Sequence, residues 1–165
     1  MATPTALPAE FVAGSVLTAA EQNALRGAFR VLQVVSATYS TQTTSSSSTY
    51  ADTGLTISIT PSSTSSKILV LVSQNGCVKF NSDTSMELKL FRGATDLGIF
   101  GSGAGITSSS GNNGFGSCSH AYLDSPATTS ATTYKTQFKS ISNTDSVRVQ
   151  QNSTLSSICV MEISA

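Results

Sequence analysis

Few side chains in this chain can do chemistry, and they are widely spread. His120 is the only histidine, and Asp124 follows four residues later. In an extended strand both would project from one face. Serines surround them, so a Ser-His-Asp arrangement can be drawn on paper. Ser and Thr, however, supply 52 of the 165 residues, and the coincidence carries no weight. Cys118 and His120 offer two metal ligands from one strand face. Zinc takes four ligands, or three plus water, so no metal site is expected. Asp83, Glu87 and Asp96 are conceivable as paired carboxylates for glycoside cleavage. Nothing in their spacing singles them out, and solvated turn carboxylates are the expected reading. Gly101 to Gly105 resembles a phosphate-binding glycine loop only superficially: Ile106 stands where the third glycine belongs, and no basic residue follows nearby. A flexible loop is expected there. No G-x-S-x-G elbow occurs. Asn152-Ser153-Thr154 fits a glycosylation sequon by chance, since no signal peptide is visible. The expectation is a non-enzymatic chain without a cofactor.

The cysteines are Cys77, Cys118 and Cys159. An odd count at wide spacing is no disulfide framework. They read as reduced, partly buried thiols that pack as small hydrophobes in a protein made in a cytoplasm.

Composition excludes several partners. The formal net charge is zero and only 11% of residues are charged, so a nucleic-acid footprint has no electrostatic basis. With 39% apolar residues and no net charge, the chain should fold. The longest apolar run, Ile68 to Val72, is far short of the roughly 20 residues of a membrane helix. The N-terminus lacks a basic region and carries Pro4, Pro8 and Glu10, which argues against a signal peptide.

The elements that must position these residues divide the chain in two. Residues 1–17 are rich in Pro and Ala. Thr18-Ala19-Ala20-Glu21 matches a capping box, predicting a short helix over about 18–29 with Leu25 and Phe29 on one face. From Val31 the pattern turns to strands. Val31 to Val35 is β-branched and apolar. Leu55, Ile57 and Ile59 alternate with hydroxyls, and Lys67 to Val72 reads as a central strand. Cys77 and Lys79 mark a further candidate. Met86 to Phe91, Leu97 to Phe100, Ser117 to Leu123, Thr133 to Phe138, Val147 to Val149 and Ile158 to Ile163 complete nine or ten strands. Their spacing is that of an all-β antiparallel sandwich or barrel. Gly93 to Asp96 reads as a hairpin loop, and Ser108 to Gly116 as a long glycine-, serine- and asparagine-rich loop in which Phe115 is the best candidate for an exposed contact.

A family resemblance rests on four of these stretches. Thr53 to Ser73, Met86 to Gly93, Leu123 to Phe138 and Ser156 to Ala165 resemble the small jelly-roll domains of tailed-phage virion proteins. Phe11 to Leu25 is similar to an attachment segment at the head of phage fibre proteins. The resemblance implies a homotrimeric jelly roll of the C1q and tumour-necrosis-factor type over residues 31–165. Residues 1–30 would be its virion-attachment arm, with Phe11, Val12, Leu17, Leu25 and Phe29 as apolar anchor contacts to other virion proteins. It implies a short tail fibre or knob, assembled in the bacterial cytoplasm and touching the host surface. Gly103, Gly105, Asn112, Asn113 and Phe115 would form a surface-contact loop, with a host-surface glycan as candidate ligand. The alternatives are a capsid decoration protein of the same fold, and a lectin-like or carbohydrate-active domain.

Overall fold

The computed structural model describes residues 18–19, 30–81, 83–106, 111, 113–142 and 145–164. Apart from Thr18 and Ala19, the expected helix lies outside the described residues, as do Phe11, Val12, Leu17, Leu25, Phe29 and Asn112.

Among the described residues ten strands make the fold. They are β1 (Val31–Tyr39), β2 (Thr43–Ser45), β3 (Ala51–Ile59), β4 (Lys67–Lys79), β5 (Met86–Arg92), β6 (Thr95–Ala104), β7 (Asn113–Asp124), β8 (Thr132–Ser140), β9 (Val147–Val149) and β10 (Ser156–Ile163). A single 3-10 turn, Gln151–Ser153, joins the last two. Eight strands form nested antiparallel pairs: β1 with β10, β3 with β8, β4 with β7, and β5 with β6. Further pairing of β10 with β4, and of β8 with β5, fuses them into two sheets. The first runs β1-β10-β4-β7 and the second β3-β8-β5-β6. This rolled-up nesting is a jelly roll, the expected fold class. The short β9 and β2 extend the first sheet beside the far end of β4.

Period-two alternation explains the layers. Ile68, Val70 and Val72 on β4 meet Ile158 and Val160 on β10 from the same sheet. Leu55, Ile57 and Ile59 on β3, with Leu90 and Tyr134, cover them from the other. Each such side chain contributes about 1.5–3 kcal/mol on full burial. A second cluster holds Cys77, Met86, Leu88, Phe138, Val147 and Val149. Between the two clusters, in strand order, runs a buried polar seam. Thr136 donates to the Gln74 side-chain oxygen at 2.9 Å and touches the Thr53 hydroxyl at 2.6 Å. Gln74 and Gln150 both donate to the Ser156 hydroxyl, at 3.1 and 3.2 Å.

Several local expectations are corrected. Gly101 to Ala104 belong to β6 and pair with β5, and Asn113 to Gly116 begin β7 and pair with β4. The expected loops there are shorter because β5 and β4 supply partners for glycine backbones that have no side-chain pattern of their own. Cys77 and Lys79 continue the Lys67–Val72 strand through a bulge rather than starting another. The hairpin after Phe91 is tighter than expected. Arg92 pairs with Thr95 around Gly93-Ala94, and Gly93 takes φ 56°, as a type II′ turn requires of its first central residue.

Glu162 fastens β10 to the β3–β4 connection. It is buried on the inner side of the sheet, where it accepts from the Ser62 amide and hydroxyl, each at 2.7 Å, and from Gln33 at 2.6 Å. Burial works against its ionised form. The donors from Ser62, Ser66 and Gln33 outweigh that and hold its carboxyl down to about 2 from 4.5. A lowered folded-state value stabilises the fold above pH 4.5, and this contribution is lost as pH falls toward 2. Glu162→Gln should therefore melt lower at neutral pH. It should also lose less further stability than the unsubstituted chain across that acid window, as thermal melts by circular dichroism would read out.

Candidate functional site

All but one of the residues with catalytic potential are committed elsewhere. His120 and Asp124 do lie on one face of β7, yet among the described residues no hydrogen bond joins them. The imidazole is stacked between Phe100, with centroids 5.6 Å apart and planes at 15°, and Tyr122 at 6.1 Å. Asp124 is buried and accepts from Arg92 at 2.8 Å and from the Tyr134 hydroxyl at 2.7 Å. Burial, with the Asp124 acceptor second, pushes the Tyr134 phenol well above its usual value. Glu87 accepts from Tyr50, from Ser102 at 3.0 Å and from Lys139 at 3.1 Å. Asp96 holds Lys89 at 2.6 Å and the Gly98 amide at 2.9 Å, while Asp83 lies in an exposed turn. Among the described residues no group of three or more His, Cys, Asp or Glu side chains could hold a metal ion. A hollow of about 120 Å³ opens beside Asp52, Gly54, Leu55, Thr56 and Lys135, where β3 shifts register against β8. Small-molecule sites run from about 300 to 1,000 Å³.

The expected contact loop is partly assembled. Gly105 turns the chain after β6, and Asn113 at the start of β7 donates to its carbonyl at 3.2 Å. Phe115 does not stand free in a loop. It is a half-buried strand residue packed on the second core cluster and against Gly105. Gly103 lies within β6.

The two outer faces of the sandwich differ in kind, and this difference sequence reading missed. On the β3-β8-β5-β6 sheet, alternation turns charges outward: Asp52, Glu87, Lys89, Lys135 and Lys139. Three ion pairs tie this face: Lys89–Asp96, Lys135–Asp52 at 2.8 Å, and Lys139–Glu87. Tyr50 lies among them, with the Lys89 and Lys139 ammonium groups 4.7 and 4.8 Å from its ring centre. Burial, with the Glu87 acceptor second, pushes the Tyr50 phenol well above its usual value.

The β1-β10-β4-β7 sheet presents the opposite. Register places Val34, Met161, Leu69 and Leu123 in one outward row across all four strands. The next row is Ser36, Cys159, Leu71 and Ala121, and the third is Thr38, Ser157, Ser73 and Ser119. No charged residue occurs in these three rows. Lys67 stands at their margin and reaches Ser125 at 2.7 Å. Val34 and Leu123 are each 56% exposed and Leu71 36%. The first row is thus a contiguous, partly exposed apolar strip. The signal in the sequence was that Ile68–Val72 is apolar at every position and Val31–Val35 at every position but Gln33, which a strand with one wet face does not need.

A scan against protein-family models finds no match to this chain, and neither does a search of curated proteins.

Proposed function

We propose that the chain is a structural subunit of a tailed-phage virion: a short homotrimeric fibre or knob of the tail, anchored through residues 1–30 and meeting the host surface with its jelly roll. The observation that carries the assembly is the uncharged outer face of the β1-β10-β4-β7 sheet, with its apolar row Val34, Met161, Leu69 and Leu123. Leaving Val34, Leu69, Leu71, Leu123 and Met161 in water forgoes their burial energy, whereas the opposite face is fully ion-paired and suited to solvent. A face without charge meets a copy of itself without like-charge repulsion, so further copies of the same chain are its proposed occupants. The strand segments' likeness to phage virion jelly rolls supports the setting. The commitment of Glu87, Asp96 and Asp124 to ion pairs and hydrogen bonds supports a role without catalysis.

Light scattering on the full chain tests the assembly. The expected mass is three times 17.0 kDa. The double substitution Val34→Lys with Leu123→Lys adds two charges at positions more than half exposed. It should leave the circular dichroism spectrum intact and reduce the mass to one chain. A monomeric unsubstituted chain would remove the homotrimer and leave residues 1–30 or another protein as the cover. A double variant that stays trimeric would move the interface off this face.

A further inference from the structure

Two of the three thiols come together in the core. β4 and β7 run side by side, with Gln74 opposite Cys118 and Cys77 opposite Gly116. Three steps along β4 thus match two along β7. The bulge turns Cys77 inward like Gln74, where strict alternation would have turned it outward. Cys118 packs on the same cluster that contains Cys77. Cys77 and Cys118 are thus diagonal neighbours on paired strands, both turned into that cluster, and the Cys77 thiol donates to the Gln74 carbonyl at 3.5 Å. All three cysteines are free thiols. Their access differs. Cys77 is fully buried, while Cys118 is half-buried on β7, an edge strand of its sheet. Gly101 on β6 faces Cys118. A Cβ there would lie 3.1 Å from the sulfur, so the glycine makes room for the Cys118 side chain.

We propose that Cys77 and Cys118 are an intramolecular disulfide site, closed by exchange with a small disulfide such as oxidised glutathione. Cys118 is the attacking thiol. Hydrogen-bond donation from Cys77 stabilises its thiolate against the opposing effect of burial, bringing it to about 7. The Cys118 thiolate attacks one sulfur of glutathione disulfide. That S–S bond breaks, and one glutathione leaves as a thiolate that takes up a proton. Cys77 then gives its proton to solvent, and its sulfur displaces the second glutathione from Cys118. Two protein thiols are oxidised, and one glutathione disulfide is reduced to two glutathione thiols. In a reducing cytoplasm the pair stays open; in an oxidising medium it closes and ties edge strand β7 to central strand β4.

The test is incubation of the full chain at neutral pH with oxidised glutathione, alkylation of remaining thiols, and peptide mass spectrometry. The expected result is a fall from three titratable thiols to one, with Cys77 linked to Cys118 and Cys159 alkylated. Cys118→Ser, at a half-buried position, should fold and keep Cys77 free under the same treatment. Cys77→Ser should stop at glutathione bound to Cys118. The inference is overturned by linkage through Cys159, by a mixed disulfide that persists on Cys118 in the unsubstituted chain, or by three thiols surviving conditions that fully oxidise a model dithiol.

Discussion

Replacing Asp124 with alanine should cost about 3–4 kcal/mol of stability, the range for breaking a largely buried ion pair by removing one partner. The residue sits at the end of β7 in one sheet and holds Arg92 and Tyr134 from the other. It therefore clamps the two layers at one end of the sandwich. Its removal leaves the Tyr134 hydroxyl fully buried without this acceptor, and leaves the Arg92 guanidinium, whose side chain is only 26% exposed, without its counter-ion. An orphaned buried hydroxyl alone costs about 1–3 kcal/mol. For a chain of this size the total corresponds to a melting temperature lower by about 10 °C. Asp124→Asn keeps an acceptor for Tyr134 and should lose roughly half as much. A double-mutant cycle with Tyr134→Phe would measure the coupling, and additive losses would show that the clamp is not one unit.

The second large effect is expected at the opposite end of β4. Gly76 lies in the bulge where β4 exchanges one neighbour, β10, for another, β9. The connection between those two strands folds back onto it, and the Gln150 amide donates to the Asn75 carbonyl at 3.0 Å. Gly76 has φ +62°, and a Cβ built on it would lie 2.5 Å from the Gln151 backbone nitrogen. Backbone cannot rotate aside as a side chain can. Gly76→Ala should thus cost about 3 kcal/mol, combining left-handed strain of about 1–2 kcal/mol with displacement of the connection. Gly93→Ala is the control. Its φ is +56° and nothing lies near the added methyl, so it should carry the strain alone. Chemical denaturation midpoints compare the two. Equal losses would mean that the Gln150–Ser153 connection yields freely to the methyl group.

Much of the sandwich was legible because alternation is strong where one face is dry. Leu55, Ile57 and Ile59 read as a strand and form one, and Val147–Val149 has the expected bounds. What escaped was backbone pairing without side-chain contrast. β2, Thr43–Ser45, is embedded in a hydroxyl-rich tract in which every register looks alike. Gly101 to Ala104 and Asn113 to Gly116 read as loops because glycine carries no face to alternate. The apolar outer face needed the cross-strand register as well as the strands. Val34 and Leu123 lie far apart in sequence and share a row only through β10 and β4. The contact of Cys77 with Cys118 was hidden for a related reason: the bulge that turns Cys77 inward breaks the alternation used to assign faces.

The polar seam also has a consequence for how the strands find one another. An in-out pattern is indifferent to a slip of two residues, since every side chain keeps its side. Much of the apolar core of this molecule would survive such an error. The seam would not. Moving β8 by two positions would bring Tyr134 or Phe138 to the place of Thr136, stranding the Gln74 side-chain oxygen among rings. A stranded group costs about 1–3 kcal/mol. Five polar residues in the middle of an oily interior thus work as the wards of a lock, admitting one alignment from the ladder of alignments that hydrophobicity alone would accept.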